Sequence, residues 1–188
     1  MFEKTLKKLA ASLTKAKVPY MVIGGQAVLV YGEPRFTRDI DVTLGIGTED
    51  INEILAVCKK ARLIPIEKDI KSFVSETMVL PAKDSATGIR VDFIFSFTPY
   101  EAKAIKRARK LKFGRQPVNF ASPEDVIIHK IFSGRPRDLE DVHGILLRGR
   151  RLDKNYIVRW LKEFDQTFLG KNFLFSFQAL SSNVAYLP

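Results

Sequence analysis

Two aspartates separated by a single isoleucine are the first candidates for chemistry in this chain. Asp39-Ile40-Asp41 lies within residues 37–44, a β-branched and apolar stretch that predicts a buried strand. Residues two apart in a strand point to the same face, about 7 Å from each other, so the two carboxylates repel each other unless a cation lies between them. Magnesium and manganese both accept oxygen ligands. The spacing therefore predicts a site for a divalent metal ion.

A third carboxylate stands in another apolar run, Ile89–Phe95, whose only acid is Asp92. If this strand lies beside the strand of Asp39 and Asp41, three carboxylates converge. Such a group can hold two metal ions about 4 Å apart, which stabilise the attacking and leaving oxygens of phosphoryl or nucleotidyl transfer. Two other interpretations stay open: the Asp-x-Asp segment caps a turn or pairs with lysine, and Asp92 marks a bulge or a strand edge.

A glycine pair precedes these acids. Gly24 and Gly25 follow the apolar run Tyr20–Ile23 and come directly before a predicted helix at residues 26–31. Glycine lets the backbone approach a ligand closely, and a helix N-terminus presents free N–H groups to phosphate. Many strand-to-helix turns use such a pair, and the Gly-x-Gly-x-x-Gly pattern of dinucleotide-binding proteins is absent. Together with the carboxylates, the pair indicates a nucleotide site.

Hydrophobic periodicity and turn residues predict the elements that position these residues. Strands are expected at 20–23, 37–44, 77–80, 89–95 and, as a pair, 112–120; helices at 2–15, 26–31, 50–62, 98–111, from 122, 135–147 and 153–168. The order indicates an α+β fold, with a small mixed β-sheet and packed helices followed by a helical C-terminal half. We expect a core at residues 1–120 and a helical region at 121–188 packed on it. Residues 169–188 receive no prediction.

Gly24-Gly25, then 13 residues, then Asp39-Ile40-Asp41, with apolar residues on either side, resemble the signature of the DNA polymerase β-like nucleotidyltransferases. Asp92 falls where that superfamily carries its third carboxylate. The resemblance implies a nucleotidyltransferase fold and an enzyme whose three acids are catalytic and hold Mg²⁺ or Mn²⁺, while the glycines approach a nucleoside triphosphate. Thr37 and Arg38, directly before the first acid, are assigned with the glycines to nucleotide binding.

A second resemblance concerns residues 122–141, SPEDVIIHKIFSGRPRDLED. They resemble the C-terminal motif of the AbiEii-type branch, which contains bacterial and archaeal toxin-like nucleotidyltransferases. In that branch a lysine on one helix is followed by an arginine and a basic-Asp-x-x-Asp segment. The resemblance covers roughly residues 18–147 and implies tRNA as acceptor, a toxin–antitoxin setting and an antitoxin protein as a partner. The matching positions are Lys130, Arg135, Arg137, Asp138 and Asp141.

These positions have roles that follow from the resemblance. Lys130 is expected to neutralise a phosphate as a compact point charge, and Asp138 to orient the attacking hydroxyl. Arg135 and Arg137 are expected to hold the nucleotide or the acceptor. The alternatives are that Lys130 extends its charged end to solvent from an apolar helix, and that the arginines pair with Asp138 and Asp141 inside the fold.

The charge balance favours anionic partners. Lysine and arginine number 31 against 21 acids, a net charge of +10, and such an excess attracts nucleic acid or nucleotides. One basic face is expected on the helix that begins near residue 98, and a second basic patch follows the helix at 135–147; either is also compatible with a solvated surface. The residues of the first are Lys103, Lys106, Arg107 and Lys110, and those of the second Arg148, Arg150 and Arg151.

Several classes of protein are excluded. With one cysteine, Cys58, and two histidines, the chain has neither an internal disulfide nor the ligands of a zinc cluster. No run has the length and apolar character to cross a membrane, and the N-terminal residues lack the pattern of a signal peptide. We therefore expect a cytoplasmic protein with no membrane partner.

The leading hypothesis is a metal-dependent nucleotidyltransferase that moves a nucleoside monophosphate from a nucleoside triphosphate to an acceptor hydroxyl, first of all on RNA. A second hypothesis keeps the chemistry and changes the acceptor to a protein or a small molecule such as an aminoglycoside. A third is a non-catalytic nucleotide- or RNA-binding module, against which the complete set of Asp39, Asp41 and Asp92 argues.

Overall fold

The computed structural model describes residues 2–96, 98–149 and 151–185. For residues 183–185 it describes the backbone only. The chain forms two compact units. The first contains the chain up to Gln26 together with Phe36–Ala121, and the second contains Ala27–Arg35 and the chain from Ser122 onward. The division at residues 120 and 121 stays a prediction.

The described residues of the first unit include a seven-stranded mixed sheet in the order β3-β4-β5-β2-β1-β7-β6. Neighbours β2 and β5 are parallel, as are β1 and β7, and the remaining neighbours are antiparallel. The expected α+β class with a mixed sheet is confirmed. The strands are β1 Tyr20–Ile23, β2 Asp39–Leu44, β3 Leu63–Pro65, β4 Val79–Asp84, β5 Arg90–Phe95, β6 Arg109–Phe113 and β7 Gln116–Phe120.

The described residues form helices in both units. They are α1 Phe2–Lys15, α2 Gly24–Tyr31, α3 Ile51–Ala61, α4 Ile70–Thr77, α5 Pro99–Arg107, α6 Pro123–Ser133, α7 Pro136–Arg148, α8 Lys154–Thr167 and α9 Phe173–Ala185, with a short 3-10 helix at Thr48–Asp50. The expected caps form: Thr98 and Glu101 make a capping box, Ser122 accepts from the backbone N–H of Asp125, and Asp153 accepts from that of Tyr156.

One face of the sheet buries its apolar side chains under α1 and α3. Ile40, Val42 and Phe93 are fully buried, and α1 packs on both α3 and β7. Thr5 of α1 donates a 2.6 Å hydrogen bond to Asp84, on the same face of the sheet as these apolar residues. Cys58 of α3 belongs to this core, where burial raises the pKa of its thiol to about 12. A thiol so firmly protonated is a packing group.

Parts of the first unit differ from the sequence prediction, including the strand expected at 77–80, which the structure has at Val79–Asp84. The helix expected over 98–111 ends at Arg107, and Arg109–Phe113 forms β6. Pairing with β7, which places Leu111 opposite the buried Val118, outweighs the helical charge spacing. Strand β3 and helix α4 were not predicted. Strand β3 is a three-residue edge strand paired with β4, and α4 begins at Ile70, directly after its N-cap Asp69.

The second unit is helical, as expected, and α9 accounts for most of the segment that the sequence left unassigned. An aromatic cluster holds α6, α8 and α9 together. The Phe132 ring lies 5.2 Å from those of Phe168 and Phe173 and 5.5 Å from that of Phe164. Such offset and edge-to-face contacts add to the burial of apolar surface.

Candidate active site

The three acids predicted to act together do meet. Strands β2 and β5 run parallel with Asp41 opposite Asp92. One carboxylate oxygen from each of Asp39, Asp41 and Asp92 lies within 4.8 Å of the others, and all three side chains are half-buried. The register between two strands that are separate in sequence therefore builds the acidic group.

Burial of the alternate residues fixes the direction of these acids. Ile40 and Val42 on β2, and Val91 and Phe93 on β5, are fully buried on the opposite face of the sheet. Because successive side chains of a strand alternate between faces, the intervening aspartates must project from the other face. The hydrophobic core thus holds the carboxylates in their common position.

Gly24 lies directly against the acidic group. Its φ of +62° is in the left-handed region, and a Cβ atom built on it would stand 1.9 Å from Oδ2 of Asp41. Strand register explains this approach, because Ile23, the last residue of β1, pairs with Asp41. Helix α2 begins at Gly24, so the free N–H groups of its first turn, including that of Gly25, start beside the carboxylates.

Thr37 and Arg90 contact two of the three acids. Thr37 donates from Oγ1 to Oδ1 of Asp39 at 3.2 Å. Arg90 donates from Nε to both carboxylate oxygens of Asp92 at 2.9 Å. Sequence reasoning missed Arg90; its position two residues before Asp92, and so on the same face of β5, was the available signal. Arg38 is exposed, with its guanidinium 5.9 Å from the centre of the Phe36 ring.

The donor set suits a small oxygen-loving cation. In octahedral magnesium coordination at about 2.1 Å, adjacent ligand atoms lie about 3 Å apart and opposite ones about 4.2 Å apart. Oxygens of Asp39, Asp41 and Asp92 within 4.8 Å of one another need only small rotations to reach that geometry. Three carboxylates without nitrogen or sulfur ligands match magnesium or manganese better than zinc or copper.

In the second unit, residues of the 122–141 segment form a buried ionic network. Nζ of Lys130 lies 2.5 Å from Oδ1 of Asp138 and 2.9 Å from Oδ2 of Asp141. Arg135 donates from Nε to Oδ2 of Asp138 at 2.6 Å. Arg35 binds Asp141 through two nitrogens, at 2.7 and 2.9 Å. Lys130, Asp138 and Asp141 are all buried, so their charges are compensated within the network.

The network sets the charge state of Asp138. Burial raises the pKa of this carboxyl, but hydrogen bonds from Lys130 and Arg135 lower the pKa by more, so the net shift is downward. This pairing is the alternative that the sequence left open for Arg135, whereas Arg137 is exposed. The catalytic and binding roles assigned to Lys130, Arg135 and Asp138 stay predictions.

The basic patches differ from their expected form. Lys103 and Lys106 are exposed on α5, but Lys110 lies on β6, so the four residues do not share one helix face. Arg148 donates from Nε to Oε1 of Glu33 at 2.8 Å. Arg150, which the second patch includes, lies outside the described residues.

The fold and the acidic group beside a strand-to-helix glycine turn define a nucleotidyltransferase. A family model described as "Nucleotidyltransferase of unknown function (DUF6036)" matches residues 2–183, and the chain belongs to this family. It is therefore an enzyme of the nucleotidyltransferase class. No curated protein matches the chain significantly. Among the described residues, no helix combines the length and apolar character needed to cross a bilayer.

Solved structures show the same fold at low sequence identity. An antigenic nucleotidyltransferase-like protein from Paracoccidioides brasiliensis matches with a TM-score of 0.60 and 15% identity, over 97% of this chain and 91% of that one. The solution structure of the antibiotic-resistance factor ANT(2'')-Ia matches with a TM-score of 0.58 and 17% identity, over 98% of this chain and 97% of that one. Its crystal structure in complex with adenylyl-2''-tobramycin matches with a TM-score of 0.51 and 17% identity, over 97% and 99%.

Proposed function

We propose that this nucleotidyltransferase transfers a nucleoside monophosphate to a hydroxyl group of RNA, with magnesium or manganese held by Asp39, Asp41 and Asp92. The observation that carries the proposal is the meeting of three carboxylate oxygens within 4.8 Å beside the turn at Gly24. Metal ions bound by such a group neutralise charge on the transferring phosphate and on the attacking and leaving oxygens.

The reaction requires in-line displacement at the α-phosphorus. The acceptor oxygen forms a bond to that phosphorus while the bond from phosphorus to the bridging β-phosphate oxygen breaks, so that pyrophosphate leaves and the hydroxyl proton passes to a carboxylate or to water. The backbone N–H groups at Gly24 and Gly25 are suited to the triphosphate, because a helix N-terminus favours anions. Thr37, which donates a 3.2 Å hydrogen bond to Asp39, orients one carboxylate. We assign Arg38 to nucleotide binding.

For the second unit, we assign Lys130 to a phosphate of the substrate. Asp138 and Asp141 form ion pairs with its ammonium group at 2.5 and 2.9 Å. These contacts hold a long, flexible side chain in one orientation. Asp138 also binds Arg135, so this carboxylate is placed to position two cations. Its proposed role in orienting the acceptor hydroxyl rests on the resemblance of residues 122–141 to the AbiEii-type motif.

RNA is the proposed acceptor because of charge. The chain carries +10, and no acid interrupts the sequence from Lys103 to Arg115. Polyanions bind such surfaces with strong dependence on salt. The AbiEii-type motif favours tRNA and a toxin–antitoxin setting with an antitoxin protein as partner, and consumption of nucleoside triphosphates favours the cytoplasm.

A small-molecule acceptor is the second candidate. The complex of ANT(2'')-Ia with adenylyl-2''-tobramycin supports it, because that fold spans nearly the whole of both chains. Aminoglycosides are polycations, however, and a protein with a net charge of +10 repels them at long range. Charge therefore favours the RNA acceptor.

Labelled nucleotide transfer tests the proposal. The protein is incubated with each α-labelled nucleoside triphosphate, magnesium, and either tRNA, a protein extract or an aminoglycoside. We expect label in RNA, lost on addition of a chelator and in the Asp41→Ala variant. Asp50→Ala is the matched control, because the Asp50 side chain makes no capping hydrogen bond and lies outside the acidic group. Label in the aminoglycoside alone identifies the second candidate, and equal transfer by the Asp41→Ala variant refutes the assigned metal site.

A further inference from the structure

A pair of lysines on the outer strand of the sheet is not used by the active site described above. Lys110 and Lys112 lie on β6, which is an edge of the sheet, and both are exposed. Among the described residues neither has an ion-pair partner. Two uncompensated cations on an edge strand discourage pairing with other strands, but their position relative to the acids points to a second role.

Strand register places this lysine pair on the same face of the sheet as the catalytic acids. Ile23 of β1 pairs with Asp41, so the two share a face. Val22, on the other face, pairs with Phe120 of β7. The neighbour of Phe120, Asn119, therefore projects from the face of Asp41, because side chains alternate along a strand.

The last step leads from β7 to β6. Lys110 pairs with Asn119 and Lys112 pairs with Pro117, and residues directly opposite each other in paired strands project from the same face. Both lysines therefore project from the face that carries Asp39, Asp41 and Asp92. The face opposite, which holds Val118 and Phe120, is covered by α1.

The distance between the two groups follows from the same register. Three strand spacings separate β2 from β6, which is about 14 Å across the sheet, and Lys110 is displaced from the level of Asp41 by two residues, about 7 Å along the strands. The two backbones are therefore about 16 Å apart. A single RNA strand covers such a distance with a few nucleotides.

The segment between the two strands adds charge of the same sign. Helix α5 follows β5, the strand of Asp92, and leads into β6. Its Lys103 and Lys106 are exposed. From residue 103 to residue 115, this segment therefore contains several cations and no acid.

We propose that Lys110 and Lys112 bind the sugar-phosphate backbone of a single-stranded RNA end, a few nucleotides before the hydroxyl that receives the nucleotide. The inference rests on the proposed RNA acceptor and names the surface that holds it. Lysine ammonium groups bind phosphates as point charges without reading bases. The lysine pair therefore sets affinity for the RNA strand, and leaves base preference and the chemical step unchanged.

Two variants with equal charge change test this assignment in the full-length protein. Lys110→Gln/Lys112→Gln removes the lysine pair, and Lys59→Gln/Lys60→Gln removes two exposed lysines of α3. We expect the first variant to raise KM for RNA about tenfold or more at physiological salt, with kcat and KM for the nucleotide unchanged. Because each phosphate contact on a single strand contributes about 0.7 to the slope of log affinity against log salt, the slope should fall by about 1.4. Lys110→Arg/Lys112→Arg should restore both quantities.

A binding measurement separates failure of this inference from failure of the proposed acceptor. Fluorescence anisotropy of a labelled RNA oligonucleotide is measured with the Asp41→Ala variant, in which no transfer interferes. If the first variant and its control bind RNA with equal affinity and equal salt slope, the lysine pair is not the binding surface. Equal, lysine-dependent binding of a blunt RNA duplex overturns the single-stranded assignment. If native protein labels no RNA while the lysine-dependent binding persists, the acceptor assignment is wrong and the binding surface stands.

Discussion

Gly24 and Asp41 are in such close contact that the glycine has no room for a side chain. A Cβ atom on Gly24 would lie 1.9 Å from the Asp41 carboxylate oxygen, and its φ of +62° is strained for any other residue. Gly24 therefore serves two purposes, since it turns the chain from β1 into α2 and leaves the space in which the Asp41 carboxylate stands. The sequence assigns Gly24 to phosphate binding, and the structure shows that its lack of a side chain is also needed to make room for the Asp41 carboxylate.

This contact predicts the effect of Gly24→Ala. The methyl group must displace the Asp41 side chain, and a displacement of about 1 Å in a reacting group costs about 100-fold in rate. We expect transfer activity to fall by at least about this factor, with a weaker response to added magnesium. Activity is measured with labelled nucleotide across a magnesium titration.

Gly88→Ala is the matched control for backbone strain. Gly88 also has a positive φ, +73°, but its Cβ would meet only Lys83, at 3.6 Å. Both variants should lose about 1–2 kcal/mol of unfolding free energy from the left-handed conformation, whereas only Gly24→Ala should lose activity. If the two variants retain equal activity, the steric account of Gly24 is wrong.

Arg90 predicts a second property of the acidic group. Its Nε atom lies 2.9 Å from both oxygens of Asp92, so the guanidinium would compete for that carboxylate with the metal ion that we propose. Exposed pairs of this kind are worth about 0–1 kcal/mol, and Arg90 is 54% exposed. We expect Arg90→Gln to lower the magnesium concentration for half-maximal activity by up to about fivefold. The control Lys59→Gln, which removes a distant charge, should leave this magnesium concentration unchanged. If Arg90→Gln instead raises the magnesium requirement, Arg90 orients Asp92 for the metal.

Much of this site could be predicted from the sequence because the direction of each acid follows from alternation along its own strand. Alternation along β2 and β5 places the acids on the face of the sheet opposite to the buried apolar residues, and the glycine pair marks the end of β1. The lysine pair could not be recovered in the same way. Lys103 to Lys110 has helical charge spacing, and only pairing of β6 with β7, which buries Val118 against α1, converts its last part to strand. That information lies in tertiary contacts, which override local propensity.

Arg35 and Arg90 were missed for a related reason. Arg35 binds Asp141 at a separation of 106 residues, and no spacing rule connects such positions. Arg90 is close to Asp92 in sequence, but arginine near an acid on an exposed strand end is common. The Arg35 contact becomes visible only when the fold brings the side chains together, whereas the spacing of Arg90 and Asp92 gave a weak signal in the sequence.

Asp84 predicts how the stability of the first unit depends on pH. This carboxylate is buried and accepts hydrogen bonds from Thr5 at 2.6 Å and Lys8 at 2.8 Å. Burial raises its pKa, but the hydrogen bonds from Lys8 and Thr5 and from the Ala86 backbone lower it more, so that the net pKa lies well below the ordinary value. A depressed folded-state pKa means that the unfolded state binds more protons, and stability is therefore lost as pH falls below about 4, the unfolded value of an aspartate.

We expect Asp84→Asn to reduce the unfolding free energy at pH 7 by roughly 2 kcal/mol, because charge-assisted hydrogen bonds are replaced by weaker neutral ones. The difference between the native protein and the variant should narrow as pH decreases from about 4. Urea denaturation at a series of pH values measures both. A difference that stays constant down to strongly acidic pH would show that the carboxylate charge is not the source of the stabilisation.

The network around Lys130 predicts that stability and activity respond differently to the same pair of substitutions. Lys130→Met leaves Asp138 buried without its ammonium partner, and removal of one member of a buried ion pair costs about 3–5 kcal/mol. Asp138→Asn removes the opposite charge but leaves Lys130 bound to Asp141 at 2.9 Å, so it should cost less. In the double variant Lys130→Met/Asp138→Asn neither charge is left unpaired by the other, and the coupling energy should restore at least about 1 kcal/mol relative to the sum of the single changes. Transfer activity should be lost in Lys130→Met and should stay lost in the double variant, because both lack the ammonium group that we assign to phosphate binding. Chemical denaturation and labelled transfer, measured on all four proteins, separate the two roles: recovery of activity together with stability would reduce Lys130 to a structural residue.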